Sequence, residues 1–246
     1  MTVVLTIAGV DSSGGAGIVA DLKTFEAHGV WGTCAVVAVT AQDTAGIHAV
    51  ETVSPDLVRA QILAVGRDLG IAAVKTGMLA TSAHVVAVAA ALEELGRPPL
   101  VVDPVLASTS GTQLLDGVAA LRDLLLPLAT VVTPNRAEAH ALTGLDDPEA
   151  AAAALGVPVV MVTGSETARD LVWDGQARWL ESTPIEVTHT HGTGCVLSAA
   201  IAAELARGMD APDACVAAKV FVTGAIRAGL DLGRGIGPVN PGLLRD

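Results

Sequence analysis

The run His191-Gly192-Thr193-Gly194-Cys195 carries the most specific chemistry in the chain. Apolar residues follow it at helical spacing, so the run marks the start of a helix. Two glycines and a threonine at a helix start leave several amide N–H groups pointing one way, which makes an anion hole suited to a transferring phosphoryl group. Cys195 falls in the first turn of this helix, where the positive helix end lowers the pKa of a thiol and favours its action as a base.

Two other interpretations of this run stay open. A tight turn with a small buried thiol would need no ligand, because free cysteines are commonly core residues. A cysteine hydrolase would use His191 as the base for Cys195, but the sequence nominates no third residue that would orient the histidine.

The second glycine-rich run extends from Gly9 to Gly17, between a predicted strand and a predicted helix. Bare backbone in such a run can approach a ligand closely. Residues 15–20 also fit the dinucleotide pattern G-x-G-x-x-A. A Rossmann dehydrogenase, however, needs an acidic residue about 20 residues further on, and Thr40-Ala41-Gln42 ends the next predicted strand instead. A glycine-rich turn without a ligand remains an alternative.

The chain lacks the usual lysine-based phosphate site. It contains no G-x-x-x-x-G-K-[ST] motif, and Lys23, Lys75 and Lys219 are its only lysines. A P-loop enzyme is therefore excluded. If the chain binds nucleotide phosphates, backbone amides and a metal ion must compensate most of their charge.

The elements that must position these residues form an α/β pattern. Short apolar runs alternate with longer stretches of helical period, as in parallel strands joined by crossover helices. We expect amphipathic helices around Ile18 and Val85, and an antiparallel hairpin whose two-residue turn is Asp174-Gly175. The predicted strands are 3–8, 34–40, 72–75, 100–102, 130–132 and 157–162, with 171–173 and 177–180 in the hairpin.

Composition limits the class of protein and its partners. The 246 residues, 51% of them hydrophobic, can bury one large core, so we expect a single domain over 1–246. A net charge of -12 disfavours nucleic acid and anionic membrane surfaces as partners. Cys34, Cys195 and Cys215 lack the spacing of a disulfide framework or zinc site, and the first residues lack a basic leader. We therefore expect a soluble, cytoplasmic protein.

Six blocks in order along the chain resemble the hydroxymethylpyrimidine and phosphomethylpyrimidine kinases of thiamine biosynthesis, a branch of the ribokinase-like superfamily. The cysteine in the last block separates this branch from the similar sugar kinases, which carry aspartate there. The blocks are AGVDSSGGAG (8–17) with ADLKTF (20–25), TAQDT (40–44), KTGML (75–79), DPV (103–105), TPN (133–135) with Glu138-Ala139, and THGTGC (190–195).

The resemblance implies a three-layer αβα sandwich with a central, mostly parallel sheet, and we expect a homodimer. It implies that ATP, with Mg2+, phosphorylates 4-amino-5-hydroxymethyl-2-methylpyrimidine and then its monophosphate. Carried over to this sequence, the pyrimidine site would comprise Gly9, Ala16, Asp21, Gln42 and Met78. The catalytic group would be Gly192, Thr193, Gly194 and Cys195, with Cys195 as the base. Asp103 and Glu138 would hold Mg2+, and the ATP contacts would be Asn135, Thr163, Gly164, His191 and Lys219.

The chain departs from the family pattern in a few places. Family members usually have asparagine at His189, lysine at Thr163, and histidines near Ile236 and Pro241. The Thr163 difference removes a cation from the predicted nucleotide side. Pyridoxal kinase is the alternative activity, since its substrate also carries a hydroxymethyl group on a ring. A non-catalytic pyrimidine-binding module is a third hypothesis, but it would not need the anion hole.

Overall fold

A computed structural model describes residues 1–107, 114–164, 169–185 and 187–244. Its sheet has the order β3-β2-β1-β4-β5-β6-β7-β8-β9. Neighbouring strands from β2 to β7 are parallel, and the pairs β2–β3, β7–β8 and β8–β9 are antiparallel. The strands are β1 (Val3–Asp11), β2 (Trp31–Asp43), β3 (Gly46–Thr52), β4 (Ala73–Thr76), β5 (Leu100–Val102), β6 (Val131–Val132), β7 (Val159–Val162), β8 (Arg169–Trp173) and β9 (Ala177–Glu181).

Helices cover both faces of this sheet. Along a strand, side chains alternate between the faces: Leu5 and Ile7 join one core while Val4 joins the other. The first core packs against α2 to α6 and the second against α1, α7 and α8. The helices are α1 (Gly17–Ala27), α2 (Pro55–Leu69), α3 (Ser82–Glu94), α4 (Val118–Ala120), α5 (Arg136–Thr143), α6 (Pro148–Ala154), α7 (Thr193–Ala206) and α8 (Ala211–Arg227). This architecture confirms the predicted αβα sandwich.

The structure corrects details of the sequence prediction. Strand β3 and helix α2 were not predicted; most β3 side chains are exposed, so no apolar face marks that strand. The hairpin of β8 and β9 is present, but residues 174–176 connect it and the turn is therefore one residue longer than expected. Gly175 takes up the positive φ that this turn needs (φ 101°). Among the described residues, no helix combines the length and the apolarity that crossing a membrane would require.

Candidate active site

A cavity of about 640 Å³ opens where the parallel strands end. Asp11 ends β1, while Asp103 and Thr133 directly follow β5 and β6. Carboxyl ends of parallel strands meet at one edge of a sheet, which is where ligands of open α/β folds bind. The lining includes all of the predicted site residues except Asp21, namely Gly9, Ala16, Gln42, Met78, Asp103, Asn135, Glu138, Thr163, Gly164, His191, Gly192, Thr193, Gly194, Cys195 and Lys219.

The start of α7 has the geometry expected of an anion hole. Gly192 precedes the helix with φ 84°, and a Cβ there would lie 1.9 Å from the carbonyl oxygen of Gly15. Only glycine therefore allows this turn to sit against the other glycine-rich loop. The amides of Gly194 and Cys195 belong to the first helical turn, which has no acceptor within the helix. A Cβ on Gly194 would meet nothing closer than Asp103 Oδ2, at 4.0 Å.

The expected effect of the helix end on Cys195 was wrong. Desolvation by burial raises the pKa of this thiol to about 12. The charge of Lys75 lowers that pKa, but the charges of Asp103 and Asp21 oppose Lys75. Burial and the two nearby carboxylates therefore disfavour the thiolate form of Cys195.

Asp21 does not line the cavity, contrary to the sequence prediction. Its carboxylate is fully buried and accepts hydrogen bonds from Lys75 Nζ (2.9 and 3.0 Å) and from the Thr6 hydroxyl (2.6 Å). Burial alone would lower the pKa of Lys75, yet the charges of Asp21 and Asp103 and the hydrogen bond to Asp21 raise it above its ordinary value. Lys75, and not Asp21, is the member of this ion pair that lines the cavity.

Sequence reasoning did not assign Lys75 or Asp11 to the site. A signal for Lys75 was available, since a lysine in the apolar strand β4 must have a buried partner. Asp11 accepts hydrogen bonds from the amide and hydroxyl of Ser13 (both 2.8 Å) and from the amide of Ala16 (3.0 Å). Although burial raises the pKa of Asp11, hydrogen bonds from His191 and Ser13 hold it below its usual value.

His191 lies with the predicted pyrimidine residues and not with the nucleotide side to which the sequence assigned it. Its Nε2 donates to Asp11 Oδ2 (2.8 Å) and lies 3.4 Å from Gln42 Nε2. An amide nitrogen and a ring nitrogen whose proton faces Asp11 cannot satisfy each other. Gln42 Oε1 accepts a hydrogen bond from Thr40 Oγ1 (3.2 Å), so the Nε2 group of Gln42 and the second lone pair of its Oε1 are available to a ligand.

Asp103 and Glu138 form an acidic pair at the edge of the cavity. Burial and the charge of Asp103 raise the pKa of Glu138 to about 8. Burial also raises the pKa of Asp103, whose Oδ2 accepts a hydrogen bond from Ser198 Oγ (3.1 Å). Glu138 has a second role, since its side chain and that of Asn135 cap α5 reciprocally (2.9 Å each).

This donor set fits a hard divalent cation. The charge of Asp103 raises the pKa of Glu138, and that of Asp21 raises the pKa of Asp103, so a cation bound by Asp103 and Glu138 would stabilise both carboxylates in their charged form. No group of three or more His, Cys, Asp or Glu side chains in the described ranges could hold a metal alone. Mg2+, which keeps several waters and binds phosphate oxygens, suits such a sparse site.

The nucleotide-side residues form a further cluster. Lys219 Nζ pairs with Asp170 Oδ2 (2.5 Å), and Asp170 Oδ1 accepts the amide of Gly164 (2.9 Å). Thr163, which follows β7, forms an isolated parallel β-bridge with Asn135, near the end of the neighbouring strand β6. Asp170, which the sequence did not suggest, therefore offsets the charge of Lys219.

Comparisons with known proteins identify the family of this chain. A family model described as phosphomethylpyrimidine kinase matches residues 11–240. A hydroxymethylpyrimidine/phosphomethylpyrimidine kinase of Synechococcus elongatus is 47% identical over 96% of both chains. A pyridoxine kinase of Bacillus subtilis is 41% identical, covering 98% of this chain and 96% of its own length. The structure of an ADP complex of Bacillus subtilis pyridoxal kinase superimposes with a TM-score of 0.89 and 40% identity, over 98% of this chain and 97% of the other.

Proposed function

The chain belongs to the phosphomethylpyrimidine kinase family, and on this premise we propose that it uses ATP to phosphorylate 4-amino-5-hydroxymethyl-2-methylpyrimidine and then the monophosphate. The product is the pyrophosphate from which thiamine is built. One observation carries the proposal: the anion hole at the start of α7 and the side-chain amide of Gln42 line the same cavity. A single-domain organisation, a homodimer and a cytoplasmic location remain predictions from the sequence.

The pyrimidine would bind between Gln42, Met78 and the first glycine-rich loop. A side-chain amide both donates and accepts, so Gln42 can pair with a ring nitrogen and the adjacent amino group. Met78 offers polarizable surface for one face of the ring. A Cβ on Gly9 would lie 3.2 Å from Met78 Sδ, so glycine there leaves the loop backbone, with Ala16, open to the ring.

The nucleotide would bind along Asn135, Thr163, Gly164 and Lys219, with Mg2+ held through water by Asp103 and Glu138. Charge supports this assignment. Among the described residues, the cavity is lined by four carboxylates, Asp11, Asp103, Glu138 and Asp170, against Lys75 and Lys219. Such a site repels a polyphosphate unless a cation accompanies it. Bound Mg2+ would neutralise charge on the phosphates and on Asp103, one of the charges that now raise the pKa of Cys195.

The residues of the chain would then orient and deprotonate the substrate. The amides of Gly194 and Cys195 and the glycine turn before them would hold the phosphoryl oxygens in line with the attacking hydroxyl. The thiol of Cys195 would first have to lose its proton to solvent. As the new P–O bond forms, the hydroxyl proton would then move to Cys195 Sγ, while the bond between the γ-phosphorus and the bridging oxygen breaks and ADP leaves. A loose transition state needs little help from a base, so positioning by the anion hole contributes most.

Pyridoxal kinase activity is the second candidate, favoured by the pyridoxine kinase relative. The cavity and anion hole could serve both substrates. The deciding experiment is a coupled ADP-release assay with the hydroxymethylpyrimidine, its monophosphate, pyridoxal and ribose side by side. We expect the highest kcat/KM for the pyrimidine and no turnover of ribose. A higher kcat/KM for pyridoxal would replace the proposal with the alternative.

Gln42→Ala should lower kcat/KM for the pyrimidine more than for pyridoxal. The aminopyrimidine edge uses both the donor and the acceptor of Gln42, and a buried polar group left unpaired costs about 1–3 kcal/mol. The same coupled assay measures both substrates. Equal losses would show that Gln42 does not discriminate between them.

Glu138→Gln should separate the metal-binding role of Glu138 from its capping role. Glutamine can still accept a hydrogen bond from the Asn135 amide, so α5 stays fully capped, whereas Glu138→Ala also removes this half of the reciprocal cap. We expect both variants to need more Mg2+ for half-maximal turnover. An unchanged Mg2+ requirement in Glu138→Gln would reduce Glu138 to a capping residue.

Stability in the absence of metal gives a second measurement on Glu138→Gln. Because the pKa of Glu138 is raised to about 8 in the folded state, the unfolded chain releases this proton first as the pH rises. The stability that protonated Glu138 contributes to the folded state is therefore fully present below about pH 4 and is lost as the pH rises from 4 to 8. Glu138→Gln lacks this loss, so its Tm in chelator at pH 8 should exceed that of the wild type.

A further inference from the structure

The residues after α8 form a strap that links two loops of the active site. We define the C-terminal strap as residues 233–239. In its first half, the amides of Arg234 and Gly235 donate to Thr44 Oγ1 (both 3.1 Å). The amide of Ile236 donates to the carbonyl oxygen of Thr44 (3.0 Å). One threonine therefore anchors three consecutive amides of the strap.

The second half of the strap is joined to the anion-hole loop. The amide of His191 donates to the carbonyl oxygen of Gly237 (3.1 Å), and the amide of Val239 donates to the carbonyl oxygen of His191 (3.1 Å). Val239 is buried in the core shared by α7 and α8, so this end of the strap is fixed. The strap thus spans from Thr44, two residues beyond Gln42, to His191, the first residue of the anion-hole run.

The fit of the strap against Thr44 depends on two glycines. A Cβ on Gly233 would lie 2.1 Å from Thr44 Oγ1, and a Cβ on Gly235 would lie 2.0 Å from the carbonyl oxygen of Thr44. Neither distance leaves room for a side chain at these two positions, so only glycine lets the strap backbone lie this close to Thr44.

Hydrogen bonds complete a ring around the predicted pyrimidine site. Ser12 Oγ donates a hydrogen bond to the backbone carbonyl oxygen of Gln42 (2.7 Å) and accepts one from the backbone amide of Gln42 (2.8 Å). Asp11, next to Ser12, accepts a hydrogen bond from His191 Nε2. The first glycine-rich loop therefore connects Gln42 to His191 on one side, and the strap connects Thr44 to His191 on the other. Such a ring fixes the separation between the residue predicted to hold the ring and the anion hole.

We propose that the C-terminal strap positions the pyrimidine relative to the anion hole, and that Thr44 is the positioning residue through which it does so. The proposal rests on the assignment of this cavity to a pyrimidine kinase. Reacting atoms must be held within a few tenths of an ångström for efficient transfer, and a misplacement of about 1 Å can cost about 10²-fold in rate. Loosening the strap should therefore lower kcat while ATP still binds at the opposite side of the cavity.

Thr44→Val tests this role, with Thr44→Ser as its matched control. Valine keeps the shape of threonine but removes the acceptor for Arg234 and Gly235, whereas serine keeps the acceptor. We expect kcat with the pyrimidine to fall at least about tenfold in Thr44→Val, with KM for ATP nearly unchanged. Thr44→Ser should retain most of the rate. Wild-type kcat in Thr44→Val, or equal losses in both variants, would overturn the proposal.

Trypsin provides a readout that does not depend on activity. The side chain of Arg234 is exposed but its backbone is held by Thr44, so cleavage between Arg234 and Gly235 requires the strap to open. Cleavage should be about tenfold faster in Thr44→Val than in the wild type, and saturating pyrimidine should slow it in the wild type. Cleavage at the wild-type rate would show that Thr44 does not hold the strap.

Two further controls keep the result interpretable. If Thr44→Val does not fold, Gly235→Ala displaces the strap from the other side, because its methyl group would overlap the Thr44 carbonyl oxygen. It should show the same loss of kcat, and wild-type kcat in this variant would also overturn the proposal. If the wild-type protein turns over no pyrimidine but Thr44→Val still accelerates cleavage, the proposed function is wrong, although Thr44 still holds the strap.

Discussion

Replacement of Cys195 by serine should lower kcat by about 10²–10⁴-fold, the usual contribution of a general base, and leave KM for the pyrimidine nearly unchanged. Serine keeps the size of the side chain, but the pKa of its hydroxyl lies far above that of a thiol. The charge of Lys75 favours the thiolate form of Cys195. The same charge would not deprotonate a serine hydroxyl within the working pH range. Steady-state kcat and KM in the coupled assay measure this effect.

Cys34→Ser is the matched control. Cys34 is a free, partly buried thiol on β2 that does not line the cavity, so its replacement should leave turnover unchanged. Cys195→Asp should recover part of the rate, because it supplies a carboxylate base of the kind that sugar kinases carry there. If Cys195→Ser turns over at the wild-type rate, the thiol only lines the site. Asp103 would then be the next candidate, since Asp21 is held by Lys75 outside the cavity lining.

Gly194→Ala should lower kcat about as strongly as Cys195→Ser, without loss of stability. The added methyl group would meet no protein atom closer than 4.0 Å, so it would occupy the space beside Asp103 that the phosphoryl oxygens need. Alanine is also favoured over glycine inside a helix by about 1 kcal/mol. We therefore expect a Tm equal to or above that of the wild type, together with a kcat reduced by about 10³-fold, as when an anion-hole donor is lost.

Gly192→Ala supplies the contrast. Its φ is positive and its Cβ would lie 1.9 Å from the carbonyl oxygen of Gly15, so this substitution should lower the Tm as well as the activity. Differential scanning calorimetry and the coupled assay on both variants distinguish the two effects. Normal kcat in Gly194→Ala would mean that phosphoryl transfer takes place elsewhere in the cavity.

Much of the fold follows from local patterns in the sequence. The apolar runs of β1, β5 and β7 predicted strands because buried parallel strands are continuously hydrophobic. Strand β3 gave no such signal, because an exposed edge strand is stabilised by pairing with β2 and not by burial of its own side chains. Helices α1 and α3 were predicted because their apolar residues recur at helical spacing, whereas α2 was not predicted.

The sequence by itself predicted the anion hole, and all of the predicted site residues except Asp21 line the cavity. Glycines, a threonine and a cysteine at a helix start define that geometry within a few consecutive residues, so no distant contact was needed to predict it. The collinear blocks identified the family for a similar reason, since each block is a short run of residues that can be read without any contact between distant parts of the chain.

The tertiary structure alone decided how those residues are charged and paired. Asp21 and Lys75 are 54 positions apart, and Asp11 and His191 are 180 apart, so no sequence window contains both members of either pair. Burial next to two carboxylates raises the pKa of Cys195, although its place in the helix predicted the opposite. Electrostatic effects and hydrogen bonds depend on distance in space and on exclusion of water, and folding determines both.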